Sequence, residues 1–315
     1  LGLGTGSLDL NGNLTGDGTV SMTSGSMTIA GNFSSSASLS AGTGTVTYDG
    51  SGSQSVLGAT YSNLTINKSA GSATLSGNAT VNGNLGLTSG ILTGNLTVDV
   101  LATVSRTSGW VSGNLTMGMN PTPARRFHVG TNLAYLPVDA DAGSAGTLTL
   151  RANEGKSPDR TANNVLDRYW SITGGSVVPI DSITFNYNQA DVVTGDETKY
   201  VLASYDSGSF TFTHYGDVDD VNNNVTATNL TGYIQDWIIG QPGSLAAASQ
   251  LAILSVNGGS DPSAGSPFDV VVESRDHAGT PTPVFDPTDV ALSVSIGSGT
   301  RLNMQDMNAP VEIMI

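Results

Sequence analysis

A short unit recurs through the first 120 residues, and its spacing limits the fold more than any other feature. Gly-Asn followed by an apolar residue stands at Gly12-Asn13-Leu14, Gly31-Asn32-Phe33, Gly94-Asn95-Leu96 and Gly113-Asn114-Leu115. Leu14 and Phe33 are 19 positions apart, and so are Leu96 and Leu115. Closer copies at Gly77-Asn78-Ala79 and Gly83-Asn84-Leu85 indicate that more than one turn per repeat uses the same device. Between them lie apolar-Thr-apolar tripeptides: Leu64-Thr65-Ile66, Ala79-Thr80-Val81 and Leu96-Thr97-Val98. Alternation of period two is a strand with one buried face. Gly and Asn supply the corners, because both tolerate positive φ. Several very short strands inside a period near twenty predict a solenoid, read here as a parallel β-helix over 1–120. The competing reading is an antiparallel sandwich, but Asp-Gly hairpin turns are few.

Composition fits such a chain. Of 315 residues 40 are Gly and none is Cys, and only 12% are charged, about half the usual quarter. Hydrophobic residues still reach 38%, enough to build a core rather than leave the chain disordered. The net charge of −15 argues against nucleic acid, which needs clustered Lys and Arg, and against anionic membrane surfaces. No run of about 18 apolar residues marks a membrane span. Leu1 falls inside the repeat, so a removed or absent N-terminal region is expected upstream.

Charge also divides the chain. Up to residue 120 there are four acids (Asp9, Asp17, Asp49, Asp99) and two bases (Lys68, Arg106), leaving −13 of the −15 to the remainder. With Met119-Asn120-Pro121-Thr122-Pro123, this predicts a boundary near residue 120. β-Helix enzymes that cut polysaccharides need paired carboxylates, often with a base or Ca²⁺ nearby. Asp9 and Asp49, 40 positions apart, could share a face two coils on, but solvated turn residues are the plainer reading. No enzyme is expected. The sequons Asn13-Leu14-Thr15, Asn63-Leu64-Thr65 and Asn95-Leu96-Thr97 lie on the repeat, whose composition accounts for them.

Residues 121–245 read as a β-sandwich. Ile183-Thr184-Phe185-Asn186-Tyr187 and Tyr200-Val201-Leu202-Ala203-Ser204-Tyr205 alternate cleanly, and further short strands flank them. Trp170 and Trp237 sit in apolar strand contexts and are expected in the core rather than as sugar platforms. Asp217, Asp219 and Asp220, followed by Asn222, Asn223 and Asn224, form the densest run of oxygen ligands and are the candidate Ca²⁺ site. A solvated turn explains the same residues, and no other cofactor is expected. His128, His214 and His277 are far apart, no His-Glu-x-x-His pair exists, and no nucleophile elbow or convincing helix is evident.

Residues 246–315 supply strands at Leu251–Val256, Pro267–Ser274 and Val290–Ser295 and read as an immunoglobulin-like module. That is short of the roughly 100 residues of a full sandwich. The apolar tail Pro310-Val311-Glu312-Ile313-Met314-Ile315 therefore calls for a partner. Either the module continues in a longer polypeptide, or a neighbouring subunit completes it by strand addition, or the unit is a self-sufficient small domain.

Three stretches carry a family resemblance: Gly44 to Val56 with Tyr61 to Asn67, Phe127-His128-Val129-Gly130 through Arg168-Tyr169-Trp170-Ser171-Ile172 and Asp236-Trp237, and Ser255 to Gly259 with Ala264 to Val270. In this order they resemble the large secreted surface proteins of Bacteroidetes-type bacteria, often exported by the type IX system. The resemblance implies an all-β chain on the cell surface or secreted, with no catalytic residue to carry over. The function expected is structural or adhesive, with self-assembly into filaments or a glycan or cell-surface ligand as partner. The alternative is a carbohydrate-binding or carbohydrate-cleaving β-helix.

Overall fold

The computed structural model describes residues 1–33, 36–157, 163–206, 211–245, 250–260, 268–275, 281 and 311–314. Strand makes up 59% and helix 5%, which sets the class as all-β. The α-helix among the described residues is the four-residue turn Pro242–Leu245.

The repeat winds into a parallel β-solenoid of about 6 turns. Each coil presents three short faces. The first face runs through Gly2–Gly4, Thr19–Met22 and Ser38–Ser40, and later through Ala79, Leu96 and Leu115. On the second face Leu8, Met27, Val46, Leu64, Leu85 and Val104 form one column. Beside it stand Leu10, Ile29, Tyr48, Ile66, Leu87 and Arg106. The third face stacks Gln54, Ala73, Leu92 and Val111. All these pairings are parallel, so the hairpin alternative does not apply.

The columns are largely apolar because each inward position is enclosed by its counterparts above and below and by the other faces of the coil. Met27, Val46, Leu64 and Leu85 are each 0% exposed. Burying such a side chain contributes about 1.5–3 kcal/mol. Tyr48 breaks the aliphatic run without leaving a polar orphan. Its hydroxyl lies 3.0 Å from that of Tyr61 and accepts from the Leu57 N–H at 3.2 Å. Burial raises its pKa to about 12.

Gly-Asn marks three different corners, not one. Gly31 stacks directly on Gly12 between the second and third faces, where the Asn32 N–H donates to Asn13 Oδ1 at 2.8 Å. Asn84 repeats this on Asn63 Oδ1 at 2.9 Å, between the first and second faces. Gly113 stacks on Gly94 between the third and first. Side-chain amides thus extend the backbone ladder around bends where the strands stop.

Past the last coil the direction of pairing reverses without a break. Leu115–Met119 pairs antiparallel with Gly146–Glu154. The same 15-stranded sheet continues through Arg168–Gly175, Asp236–Gly240, Val201–Asp206 and Thr211–Asp217. A second, four-stranded sheet holds Arg125–Phe127, Val138–Ala142, Ile180–Asn186 and Asn224–Leu230. The two face each other through Phe185, whose ring centroid is 5.3 Å from those of both Trp170 and Trp237. One hydrophobic cluster runs from Val20 to Ile239, across the boundary expected near residue 120. Composition changes there, but the core does not stop.

Near the C-terminus Gln250–Val256, Asp269–Arg275 and Val311–Met314 form a separate three-stranded antiparallel sheet. The tail strand therefore pairs within its own chain. The strand expected at Val290–Ser295 lies outside the described residues.

The two glycines of one stack separate steric from conformational demand. A Cβ on Gly31 would lie 2.3 Å from the Gly12 carbonyl carbon, whereas one on Gly12 meets nothing within 4 Å. Gly31→Ala is expected to destabilise by about 1–3 kcal/mol or more, and Gly12→Ala to stay within about 0.5 kcal/mol. Urea unfolding of the two variants checks this; equal effects would count against coil-on-coil contact.

Candidate functional site

The residues with chemistry to offer collect where the solenoid meets the antiparallel strands. In the last coil Arg106 takes the inward position that Leu87, Ile66 and Tyr48 hold below it. No further coil covers it, so a cation replaces the aliphatic. Its guanidinium donates to the carbonyls of Gly109 (2.7 Å) and Ser108 (3.2 Å) and sits 3.6 Å from the ring centre of Tyr135. Trp110, one strand on, tilts against the same ring at 6.1 Å, with its indole N–H donating to Thr131 O at 2.8 Å.

Tyr135 also stacks on His128, its hydroxyl 2.6 Å from Nδ1. Burial and the neighbouring Arg106 and Arg126 lower the His128 pKa from 6.5 to about 4, so the imidazole is neutral at pH 7. Burial also raises the Tyr135 pKa, against the pull of the two arginines. Arg126 forks onto Asp139 at 2.6 and 2.7 Å on the exposed side. Arg125 turns the other way. It donates to the carbonyls of Asp99 (3.1 Å), Val100 (3.3 Å), Gly118 (2.5 Å) and Ala102 (2.6 Å). Three of those carbonyls belong to the last corner of the solenoid and the fourth, of Gly118, to the strand Leu115–Met119, so Arg125 ties the end of the ladder to that strand. Between this corner and Thr122–Arg126 lies a groove of about 400 Å³, with His128 in its wall.

The cluster offers planar cations, aromatic faces and a neutral imidazole hydrogen-bonded to a phenol, groups that suit stacking and polar contacts with a ligand. Sequence reading missed it, although Arg106, Arg125 and Arg126 are three of only 11 basic residues. The signal was the Arg125-Arg126 pair beside the proline-rich boundary.

The candidate Ca²⁺ ligands fall elsewhere. Asp217 ends a strand, and Asp219 and Asp220 sit in the exposed turn after it. Asp219 accepts from the backbone N–H of Val221 (3.1 Å) and Asn222 (3.0 Å) and from the Asn222 side chain (2.7 Å). These bonds hold its carboxyl below the usual range and build a turn closed by the Asp219–Asn224 bridge. Among the described residues no three His, Asp or Glu side chains gather to hold a metal ion. Asp217, Asp219 and Asp220 are therefore not brought together as a cation site, because Asp219 commits its oxygens to its own turn.

Asp9 and Asp49 are also kept apart. Asp9 stacks with Thr28 and Thr47, two residues short of Asp49. Asp49 instead lies near a buried polar knot. Lys68, 2% exposed, donates from Nζ to Gly50 O (2.5 Å) and Gln54 Oε1 (3.0 Å), and Gln54 Nε2 donates to Ile29 O (2.6 Å). Burial lowers the Lys68 pKa and Asp49 opposes the shift. The knot fills a corner that carbonyls would otherwise leave unsatisfied. Among the described residues carboxylates converge at Arg168, with Glu154 at 3.0 Å, Asp167 at 3.7 Å and Asp191 at 3.9 Å. Burial raises the Asp191 pKa, with Arg168 pulling against it. Trp170 and Trp237 pair in register in the core. His214 lies on the Thr211–Asp217 strand, and His277 is outside the described residues. The sequon residue Asn63 is engaged in the corner ladder, donating to Thr43 O at 3.0 Å.

No protein family, curated protein or solved structure matches this chain.

The His128 shift sets a pH dependence. Below about pH 6.5 the unfolded chain takes up a proton that the folded chain refuses until about pH 4. Stability should therefore fall as pH drops through that window, by at most about 1.4 kcal/mol per unit. Urea unfolding at pH 7 and pH 5 should give a shallower dependence for His128→Gln than for the parent; identical slopes would exclude His128 as the titrating group. Separately, Arg125→Lys keeps the charge but not the fork. It should cost roughly 2 kcal/mol, read as a lowered thermal midpoint.

Proposed function

We propose that the chain is an extracellular structural module of a secreted or surface protein: a rigid solenoid continued by a β-sandwich, with an immunoglobulin-like unit beyond. The observation that carries this reading is the unbroken sheet. Leu115–Met119 belongs at once to the parallel ladder and to the antiparallel strands, and a single core underlies both. Such a joint transmits load through backbone hydrogen bonds instead of through a flexible linker. The outward positions of the coils are mostly Ser, Thr and Asn, which keep a long surface solvated with little charge. The family resemblance of the sequence points the same way. Adhesive contact and filament assembly are further readings of this role. Carbohydrate binding finds support in the half-buried Trp110 and Tyr135 at the junction.

Two measurements test the structural role. Pulled from residues 1 and 245, the module should resist as one mechanical unit, with no soft extension at residues 120–124. A compliant joint there would argue against it. Incubated with bacterial, algal and plant polysaccharides, the protein should release neither reducing ends nor unsaturated sugars. Release of either product would replace the structural reading with an enzymatic one.

A further inference from the structure

Gln54 and Lys68 put an amide and an amine inside the apolar stack. Gln54 takes the inward place on the third face that Ala73, Leu92 and Val111 hold in the coils above. Lys68 turns inward at a corner whose other members are small. A Cβ on Gly50 would meet Ala30 O at 2.0 Å, one on Gly90 the Lys68 Cβ at 2.8 Å, and one on Gly109 Gly90 O at 2.9 Å. Gln54 is 3% exposed and Lys68 2%. Two apolar residues would fill this space with no polar group to desolvate. Instead an ammonium is buried against two amide oxygens, Gly50 O at 2.5 Å and Gln54 Oε1 at 3.0 Å, and it forms no ion pair among the described residues. A buried charge without a counter-ion is among the most unfavourable groups a core can hold.

The two side chains are arranged as an acyl group and an amine. The Gln54 amide is fixed at both ends. Its Nε2 donates to Ile29 O (2.6 Å) and Gly31 O (2.5 Å), and its Oε1 accepts from the Gly50 N–H (3.3 Å) as well as from Lys68. With Nζ 3.0 Å from Oε1 and a C=O bond of about 1.23 Å, the amide carbon is at most about 4.2 Å from the amine. Burial lowers the Lys68 pKa, which raises the share of nucleophilic free amine. Asp49, whose charge acts on Lys68, keeps its Oδ1 buried with no hydrogen-bond partner. Exclusion of water suppresses the competing hydrolysis.

We propose that Lys68 and Gln54 join in an amide crosslink that ties one coil to the next. Nζ attacks Gln54 Cδ to form the new C–N bond, and the Gly50 N–H stabilises the oxyanion of the tetrahedral intermediate. Asp49 takes a proton from Nζ and passes it to Nε2. The Cδ–Nε2 bond then breaks and ammonia leaves, taking up in water the proton that the lysine ammonium gave up. An ammonium and a primary amide thus become a secondary amide and a free ammonium ion, with no other reactant. The buried charge leaves with that ion. The new bond closes residues 54–68 into a loop that force on the chain cannot draw out, and its chemistry does not depend on the structural role proposed above.

Mass spectrometry of the denatured full chain, before and after trypsin, tests this. Lys68 is the first Lys or Arg of the sequence and Arg106 the second. The parent should be lighter than its sequence by one ammonia. An acylated Lys68 resists trypsin, so residues 1–106 should emerge as one fragment in place of 1–68 and 69–106. Lys68→Met should show the full mass of its own sequence, and Asp49→Asn should cut the crosslinked fraction by about tenfold or more. A parent of full mass that is cleaved at Lys68 would overturn the proposal, whether or not the variants fold. So would loss of ammonia with Lys68 still cleaved, which would place the loss at an Asn-Gly pair such as Asn82-Gly83, as a succinimide. Loss of water in place of ammonia would join Lys68 to Asp49 and overturn it as well. Undiminished crosslinking in Asp49→Asn would overturn the proton transfer through Asp49.

Discussion

Coil-on-coil hydrogen bonding is the constraint on which the rest of this structure depends. A face of three or four residues cannot bury its own apolar side or satisfy its own backbone. It does both only through the coils above and below. The inward columns are therefore apolar over most of their length, with Gln54 and Arg106 as polar members, and every bend has to let the next chain pass at contact distance. Gly31 over Gly12, Gly50 over Ala30 and Gly113 over Gly94 are among the places where that approach is close. Asn13 beside the first of these serves the same end, accepting from the Asn32 N–H through a corner where strand geometry fails.

A stack of this kind has no natural end, so its termination must be built. Here three devices act together. Antiparallel pairing continues the first face within the same sheet, the His128–Gly130 segment covers the third, and the Arg125 fork satisfies three carbonyls at the last corner and that of Gly118. Arg106 replaces an aliphatic in the column where the aliphatic would have lost its neighbour. The cations of the junction are in the first place terminators. That they also line a groove is what gives the junction a surface with recognisable chemistry.

Charge is distributed to suit this plan. The solenoid carries little, since hydroxyls and amides solvate its outside and an ion inside must be held by carbonyls, as Lys68 is. The antiparallel part tolerates more, with Arg168 gathering Glu154, Asp167 and Asp191 at one place. The chain's large negative charge therefore lies mostly beyond the stack, and the junction is a local exception to it.

The solenoid was legible in the sequence because its physics is local and repeated. Leu14 and Phe33 stand 19 apart because they are in fact neighbours, bridged across one coil. The burial of Trp170 and Trp237 was legible for a similar reason, as alternation along each strand declares the inward face. Asp217, Asp219 and Asp220 read two ways in the sequence because ligand-rich composition and a self-bonded turn look alike until the direction of each oxygen is known. The junction was hidden for the opposite reason. Arg106, Arg125, His128 and Tyr135 come from separate segments and meet only when the last coil packs against the strands and loops beyond residue 120. The sequence by itself determined the period, the corners and the apolar columns, since each depends on near neighbours in the repeat. Only the tertiary structure decided how the stack ends, because the groups that close it are set by contacts between segments that share no periodic relation.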